Sequence, residues 1–161
     1  QIASGKAITP HFLKSIDGKP VEFAPTELFT PKEKAQLPLV RRGMYEVGNN
    51  PDGGTAYKLI HTAVVPLAVK TGTAQVVGIS QTAKKRMKEA DMDYFHRSHA
   101  WMTSFGPYDK PQYAVTVLVE HGGGGGSAAG PVIMQIYEKL AQMGYIDANA
   151  TTIKDSTKKT K

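Results

Sequence analysis

The segment Tyr113–Glu120 has the clearest strand pattern in the sequence. Alternate positions on one face carry the apolar side chains Tyr113, Val115, Val117 and Val119. Ala114 and Leu118 make much of the other face apolar as well. A strand that is apolar on both faces is typical of the centre of a sheet covered on both sides. The pattern therefore predicts a central strand and a fold built on a sheet.

Two earlier segments also have the composition of strands. Ile60–Val77 is rich in β-branched residues, and His99–Phe105 precedes a Pro-Tyr turn. A shorter segment, Thr9–Ile16, is a candidate edge strand. Consecutive strands joined by short turns favour antiparallel pairing. We therefore expect an antiparallel sheet.

Two segments have helical spacing. Thr30 and Pro31 suit the N-cap and first position of a helix, which Pro38 could divide into two pieces. A last helix is predicted from Ser127 as N-cap to Gly144 as its stop. Its apolar stripe consists of Val132, Ile133, Ile136, Leu140 and Met143. The predicted fold class is mixed α/β (α+β), an antiparallel sheet with helices packed on it.

Composition excludes several kinds of site. The 161 residues suit one domain or a piece of one. They include no cysteine, which excludes disulfides, zinc-thiolate sites and a cysteine nucleophile. No apolar run approaches the roughly 20 residues that span a bilayer, so we expect any membrane anchor to lie outside this sequence. There is no initiator Met or leader pattern at Gln1, which suggests that the native start lies elsewhere.

The formal charge of +6 does not indicate nucleic-acid binding. Half of it comes from residues 151–161, within the segment 147–161 that we predict to be a disordered basic tail. The other basic residues are scattered and lack interleaved aromatic side chains. We therefore predict no nucleic-acid partner.

The sharpest motif is Lys70-Thr71-Gly72-Thr73, which lies within a strand pattern. Glycine in a strand often marks the close approach of a ligand or another backbone. A cation, two hydroxyls and an approachable backbone suit a carboxylate ligand. The alternative from these residues alone is an edge strand with a solvated lysine.

Lys-Thr-Gly on a strand is also one of three motifs of the penicillin-recognising serine enzymes. The surrounding sequence resembles the class B penicillin-binding proteins, and most of all their penicillin-binding protein 2 branch, over roughly residues 1–146. The segments that carry this resemblance are Arg42–Val47, Pro51–Ala56, Val69–Val76, Trp101–Tyr108 and Gly122–Pro131.

Two motifs of that family are missing. No Ser-x-Asn occurs, and the one Ser-x-x-Lys, from Ser156 to Lys159, lies in the predicted tail and is interpreted as accidental. The resemblance therefore implies that residues 1–146 are the C-terminal part of a transpeptidase domain. The nucleophilic serine would lie outside this chain, and the chain by itself is predicted to be inactive.

The resemblance implies a peptidoglycan D,D-transpeptidase that cross-links stem peptides during cell elongation through a serine acyl-enzyme and is inhibited by β-lactams. Lys70 would act electrostatically, and the Thr71 and Thr73 hydroxyls would bind the substrate carboxylate. The Thr73 N–H would supply half of an oxyanion hole, and Gly72 would let the substrate lie along the strand. No cofactor or metal is implied.

The resemblance further implies a location at the periplasmic face of the bacterial inner membrane. The partners would be the N-terminal remainder of the protein, an MreC-type scaffold and other rod-complex proteins. Two alternatives stay open: a β-lactamase or β-lactam sensor domain, and a non-catalytic scaffold or binding module. The last would fold alone, whereas a transpeptidase piece should expose apolar sheet and helix surface.

Other features have weaker functional interpretations. His96 and His99 have a spacing that can bind metal on a helix, but we favour surface histidines. The run Gly122–Gly126 lacks the lysine of a phosphate-binding loop and is interpreted as a flexible turn. Trp101 either supports the strand behind the motif or packs in the core, and we favour core packing. Gln81–Ser98 is a solvated loop or a mobile loop at the mouth of a cleft.

Overall fold

The structure, a computed structural model, describes residues 1–78 and 87–148. The chain divides into two compact units, Gln1–Gly43 and Met44–Lys161. Most of the predicted tail 147–161 and the first part of the predicted loop 81–98 lie outside the described residues. The predictions made for them stay predictions.

The first unit contains four two-residue strands. They are β1 (Lys6–Ala7), β2 (Ser15–Ile16), β3 (Lys19–Pro20) and β4 (Thr26–Glu27). β1 pairs with β4 and β2 pairs with β3, both antiparallel. The predicted strand Thr9–Ile16 is wrong over most of its length, since only its last two residues pair. Pro10 has no N–H for a ladder, and His11 bonds locally to the Thr9 carbonyl instead (2.9 Å).

Helix α1 (Pro31–Asn49) begins where the sequence predicts. The Glu33 N–H donates to Thr30 Oγ1 (3.4 Å), and the Thr30 N–H donates to Glu33 Oε2 (2.8 Å), which is a capping box. The Thr30 hydroxyl also donates to Glu33 Oε2 (2.8 Å), and the bonds that the carboxylate accepts from the Thr30 N–H and hydroxyl lower the pKa of Glu33. The predicted break at Pro38 is wrong: α1 continues through it, because proline removes one donor while the adjoining turns keep theirs.

The second unit is a three-stranded sheet with helices. Its elements are α2 (Tyr57–Ile60), β5 (Ala68–Ala74), β6 (His99–Gly106), β7 (Tyr113–Val119) and α3 (Gly125–Gln142). The strand order is β5-β6-β7, and both pairings are antiparallel. Gly72 lies opposite Trp101, which lies opposite Leu118. The predicted fold class, an antiparallel sheet with helices packed on it, is confirmed.

Two strand predictions need correction. The first strand covers Ala68–Ala74 rather than Ile60–Val77, because Ile60 ends α2 and Pro66, just before the strand, lacks a backbone donor. β7 is not central: among the described residues it is an outer strand, and β6 lies between its neighbours. One face of β7 is partly buried, and Leu118 on the other face is 43% exposed. An apolar side chain on a strand is therefore no proof of burial here.

Helix α3 begins three residues earlier than predicted, with Gly124 rather than Ser127 as its N-cap. The Ser127 Oγ donates back to the Gly124 carbonyl (3.0 Å). Gly144 does end the helix: it has φ of 75°, and the Tyr145 N–H donates to the Leu140 carbonyl (2.9 Å). This is the αL termination that favours glycine.

The core lies between α3 and one face of the sheet. Its largest fully buried side chains are Tyr137, Ile60, Leu67, Met102, Ile133, Val65 and Val69. The predicted α3 stripe is right for Ile133 but wrong for Val132 and Met143, which are exposed, and it misses Tyr137. Ala129, Gly130 and Tyr137 are buried together with Ile133, so the buried side of α3 combines small residues with one large aromatic ring. Within residues 1–78 and 87–148, no helix combines the length and apolar character that crossing a membrane requires.

Candidate active site

All four residues of the Lys-Thr-Gly-Thr motif lie on β5. In the part of the chain that the structure describes, β5 has one hydrogen-bonded neighbour, β6. Lys70 and Thr73 are exposed, and Thr71 and Gly72 are half-buried. The motif therefore lies on an outer strand, where an extended peptide can approach the backbone edge.

Successive side chains of β5 point to opposite faces of the sheet. Lys70 and Gly72 share one face with Trp101, whereas Thr71 and Thr73 share the other with Met102. The Lys70 Nζ donates to the Thr71 carbonyl (2.6 Å). The motif thus carries its ammonium on one face of the strand and its two hydroxyls on the other. A ligand that lies along the edge itself can reach both.

Thr55 is a neighbour of the motif that the sequence analysis missed. Its Oγ1 lies 3.5 Å from Thr71 Oγ1, close enough for a long hydrogen bond. The turn before it is folded tightly, since the Gly54 N–H donates to the Asn50 carbonyl (2.9 Å). A Cβ on Gly54 would lie 2.7 Å from three carbonyl oxygens. In the sequence, the Gly-Gly pair before Thr55 was the signal that could have predicted this tight turn.

The first turn of α3 lies directly behind the motif. A Cβ added to Gly125 would lie 2.5 Å from the Trp101 carbonyl oxygen and closer still to that of Gly72. A Cβ on Gly126 would lie 3.6 Å from Thr71 Cγ2. The prediction of a flexible turn at 122–126 is thus wrong for the last two glycines, which are helical and closely packed.

Trp101 is not a core residue, contrary to the sequence interpretation. Its side chain is 41% exposed on the face opposite α3. Its Cβ lies 3.3 Å from the position that a Cβ on Gly72 would occupy. The indole therefore borders the motif strand, and glycine at position 72 leaves room for it.

The described end of the β5–β6 connection is anchored near the glycine run. The Glu89 carboxylate accepts bonds from the Ser98 N–H (2.8 Å) and Oγ (2.7 Å). The Gly123 N–H donates to the Ser98 carbonyl (2.8 Å). Two short 3₁₀ turns, Glu89–Asp91 and Tyr94–His96, lie within the segment that the Glu89–Ser98 bonds close. Residues 81–86 of the predicted cleft loop lie outside the described residues.

His96 and His99 do not share a helix, so they lack the helical spacing on which a metal site at these two residues would depend. His96 ends a 3₁₀ turn, and His99 begins β6. The His99 Nδ1 instead accepts a bond from the His121 N–H (2.9 Å). Among residues 1–78 and 87–148, no group of three or more His, Asp or Glu side chains is placed to hold a metal ion.

The sequence profile of the penicillin binding protein transpeptidase domain matches residues 1–138. The chain belongs to this family. Its predicted resemblance to the penicillin-binding proteins is confirmed, and the fold described above is that of the family's transpeptidase domain.

Relatives within the transpeptidase family bear the same name. The chain is 35% identical over 142 residues to the peptidoglycan D,D-transpeptidase MrdA of Haemophilus influenzae, which covers 85% of this chain and 21% of the relative. It is 39% identical over 102 residues to MrdA of Escherichia coli K12, which covers 63% of this chain and 16% of the relative. The chain thus spans about a fifth of the length of these relatives.

Solved structures agree with this assignment. The penicillin-binding protein PBP2 of Helicobacter pylori, solved in complex with MreC, is 45% identical with a TM-score of 0.73, covering 90% of this chain and 23% of that chain. PBP2 of Pseudomonas aeruginosa, solved with the compound WCK 5153, is 33% identical with a TM-score of 0.66, covering 86% and 28%. The predicted likeness to the penicillin-binding protein 2 branch is confirmed.

Proposed function

We propose that this chain is the Lys-Thr-Gly part of a peptidoglycan D,D-transpeptidase that acts in cell elongation. The longer polypeptide that supplies the serine is called the parent below. The observation that carries the proposal is the placement of residues 70–73 on an outer strand, with Lys70 and Thr73 exposed. The names of the family relatives support the same reaction.

The reaction would proceed in two acyl transfers. The parent's serine oxygen attacks the carbonyl carbon between the two terminal D-alanines of a donor stem peptide. That amide bond breaks, the last D-alanine leaves with a proton on its nitrogen, and an ester remains on the serine. The amine of an acceptor stem peptide then attacks the ester, forms the new amide and releases the serine.

The residues of β5 would orient the donor. Lys70 attracts the terminal carboxylate, and the Thr71 and Thr73 hydroxyls donate hydrogen bonds to it. The Thr73 N–H donates to the oxygen that becomes negative in the tetrahedral intermediate. Gly72 keeps the strand edge free of a side chain, so the donor backbone can lie beside it.

The proposal also includes partners and a location. The relative from Helicobacter pylori was solved in complex with MreC, which supports an MreC-type scaffold as a partner of the parent. Other rod-complex proteins are included as partners from the family resemblance alone. Peptidoglycan cross-linking places the parent at the periplasmic face of the inner membrane. β-Lactams would acylate the parent's serine in place of the stem peptide.

Intact-mass spectrometry with benzylpenicillin tests the proposed function. We expect a stable adduct on the parent and none on the 161-residue chain incubated alone. A parent that stays unmodified, or a chain that is itself acylated, would overturn the proposal. An adduct that is lost rapidly by hydrolysis would instead favour a β-lactamase.

Replacement of Lys70 tests the assigned site. Hydrogen bonds to charged groups contribute about 1.5–3 kcal/mol, so Lys70→Ala should lower the second-order acylation rate constant of the parent about 10- to 100-fold. Lys110 is an exposed lysine that follows the C-terminal end of β6. Lys110→Ala is therefore a matched control and should leave the acylation rate constant unchanged. Equal effects of the two substitutions would contradict the assignment.

A further inference from the structure

We propose that Gly125 is a positioning residue that sets the location of the Thr71–Thr73 backbone, a role that rests on the proposed transpeptidase function. Gly125 does not touch the substrate in this proposal. Its effect is transmitted through β5, because the absence of a side chain at Gly125 lets α3 begin in direct contact with that strand.

The evidence is the contact between the first turn of α3 and a backbone pair of the sheet. Gly72 and Trp101 lie opposite each other on β5 and β6. A Cβ on Gly125 would lie 2.5 Å from the Trp101 carbonyl oxygen, 3.0 Å from the Gly72 nitrogen and closest to the Gly72 carbonyl oxygen. Carbon contacts are optimal near 3.5–4.0 Å. All three atoms belong to the backbone, so no side-chain rotation can relieve the overlap.

The strand is the element that should yield to this overlap. α3 is held along its length by the fully buried side chains of Ile133 and Tyr137, whereas β5 is an outer strand of the described sheet. Any side chain at position 125 would therefore displace the Gly72 backbone, and the Thr73 N–H with it. A misplacement of about 1 Å in an active site can cost about 100-fold in rate.

Gly124 provides a matched control one residue away. Its φ of −75° and ψ of 128° are open to any residue, and its added Cβ would meet only the Ser127 Oγ, at 3.0 Å, which can rotate away. Gly125 lies in helical backbone and has no positive φ. Helix propensity alone favours alanine at position 125 by about 1 kcal/mol. Propensity by itself therefore predicts that Gly125→Ala is the less harmful of the two substitutions.

The test compares benzylpenicillin acylation of the parent and its variants. We expect Gly125→Ala to lower the second-order rate constant at least about 10-fold and Gly124→Ala to change it less than about twofold. The loss should fall mainly on the first-order acylation step, since the oxyanion donor acts in the transition state. A purely structural defect would reduce the fraction of protein acylated and leave that rate constant unchanged.

The outcomes separate this inference from the proposed function. A wild-type parent that is not acylated refutes the function. An acylated wild type with a Gly125→Ala variant of equal rate constant overturns only the positioning role.

Thermal melting shows whether Gly125→Ala folds. If it does not, Gly126→Ala takes its place, because its Cβ would meet the flexible Leu59 tip at 2.9 Å and Thr71 Cγ2 at 3.6 Å. A folded Gly126→Ala variant should then lose about two- to fivefold in rate, and an unchanged rate would overturn the proposal.

Discussion

Both faces of the β5-β6-β7 sheet carry apolar side chains, but the surroundings of these side chains differ. The helix-covered face carries Val69 and Met102, both fully buried against the core that includes α3. The other face, called the open face below, carries Trp101 and Leu118, which are 41% and 43% exposed, although Phe105 at one end of the same face is buried. The difference shows that hydrophobicity along a strand predicts what a face can pack against, and that burial depends on which element is present to cover it.

The open face accords with the exposed apolar surface expected of a transpeptidase piece. Besides Trp101 and Leu118 it holds Lys70, and the Thr103 and Thr116 hydroxyls bond to each other across the strands (2.9 Å). On the other face, Thr71 and the first turn of α3 are in contact range. One face therefore supports the motif strand, while the other presents the lysine.

The largest difference between the faces is expected from truncating one apolar residue on each. Met102→Ala on the helix-covered face should cost about 2–5 kcal/mol in free energy of unfolding, because it leaves a cavity in the core. Leu118→Ala on the open face should cost less than about 1 kcal/mol, because that side chain already meets solvent. Urea unfolding of the parent measures both, and equal costs would remove the distinction between the faces.

A smaller effect is expected from Tyr137, whose ring lies under the sheet on the helix-covered side. Its hydroxyl donates to the Tyr113 carbonyl (3.3 Å) and accepts from the Ser104 Oγ (3.4 Å). Tyr137→Phe should cost about 1 kcal/mol near neutral pH. The matched control Tyr145→Phe alters an exposed phenol and should cost almost nothing.

Tyr137 also adds a pH dependence to the covered face. Burial raises the pKa of its phenol above the ordinary value of 10.0, although the bond from Ser104 opposes this. The folded state thus favours the neutral phenol, so the stabilisation is complete below pH 10.0 and is lost as the pH rises through the raised pKa. Between neutral and alkaline pH, the free energy of unfolding should therefore decline less steeply for Tyr137→Phe than for wild type. Parallel curves would contradict this.

The smallest effect is expected on the open face. Thr116→Val removes the hydroxyl partner of Thr103 but keeps the β-branched shape. Cross-strand pairs contribute about 0.2–1 kcal/mol, and both groups can bond to water instead. We expect a loss of at most about 0.5 kcal/mol in urea unfolding, and a loss above 1.5 kcal/mol would show that the open face is less solvated than described.

The sequence predicted what depends on local pattern. The capped start of α1 at Thr30, the αL stop at Gly144 and the strand His99–Phe105 follow from short-range rules, and the structure confirms them. The Lys70–Thr73 motif was also predicted to lie on a strand, and it does. It was noticeable in the sequence because a lysine and a glycine interrupt an apolar run there.

The sequence did not predict what depends on tertiary partners. Among the described residues the strand order makes β7 an outer strand, although its sequence had predicted a central strand covered on both faces. Gly125 was interpreted as part of a flexible turn, since nothing in a run of glycines shows that one of them faces the Gly72 backbone. Thr55 was missed because its neighbour, Thr71, is distant in sequence.

The bonds from Ser98 to Glu89 bear on how β6 begins. They fix Ser98 by its N–H and its hydroxyl to one carboxylate nine residues earlier. His99, which pairs with Ala74 at the start of β6, therefore follows a residue that is already held in place. The first register position of the strand thus depends on a carboxylate outside the sheet, and a change at Glu89 is expected to reach the end of β5 through it.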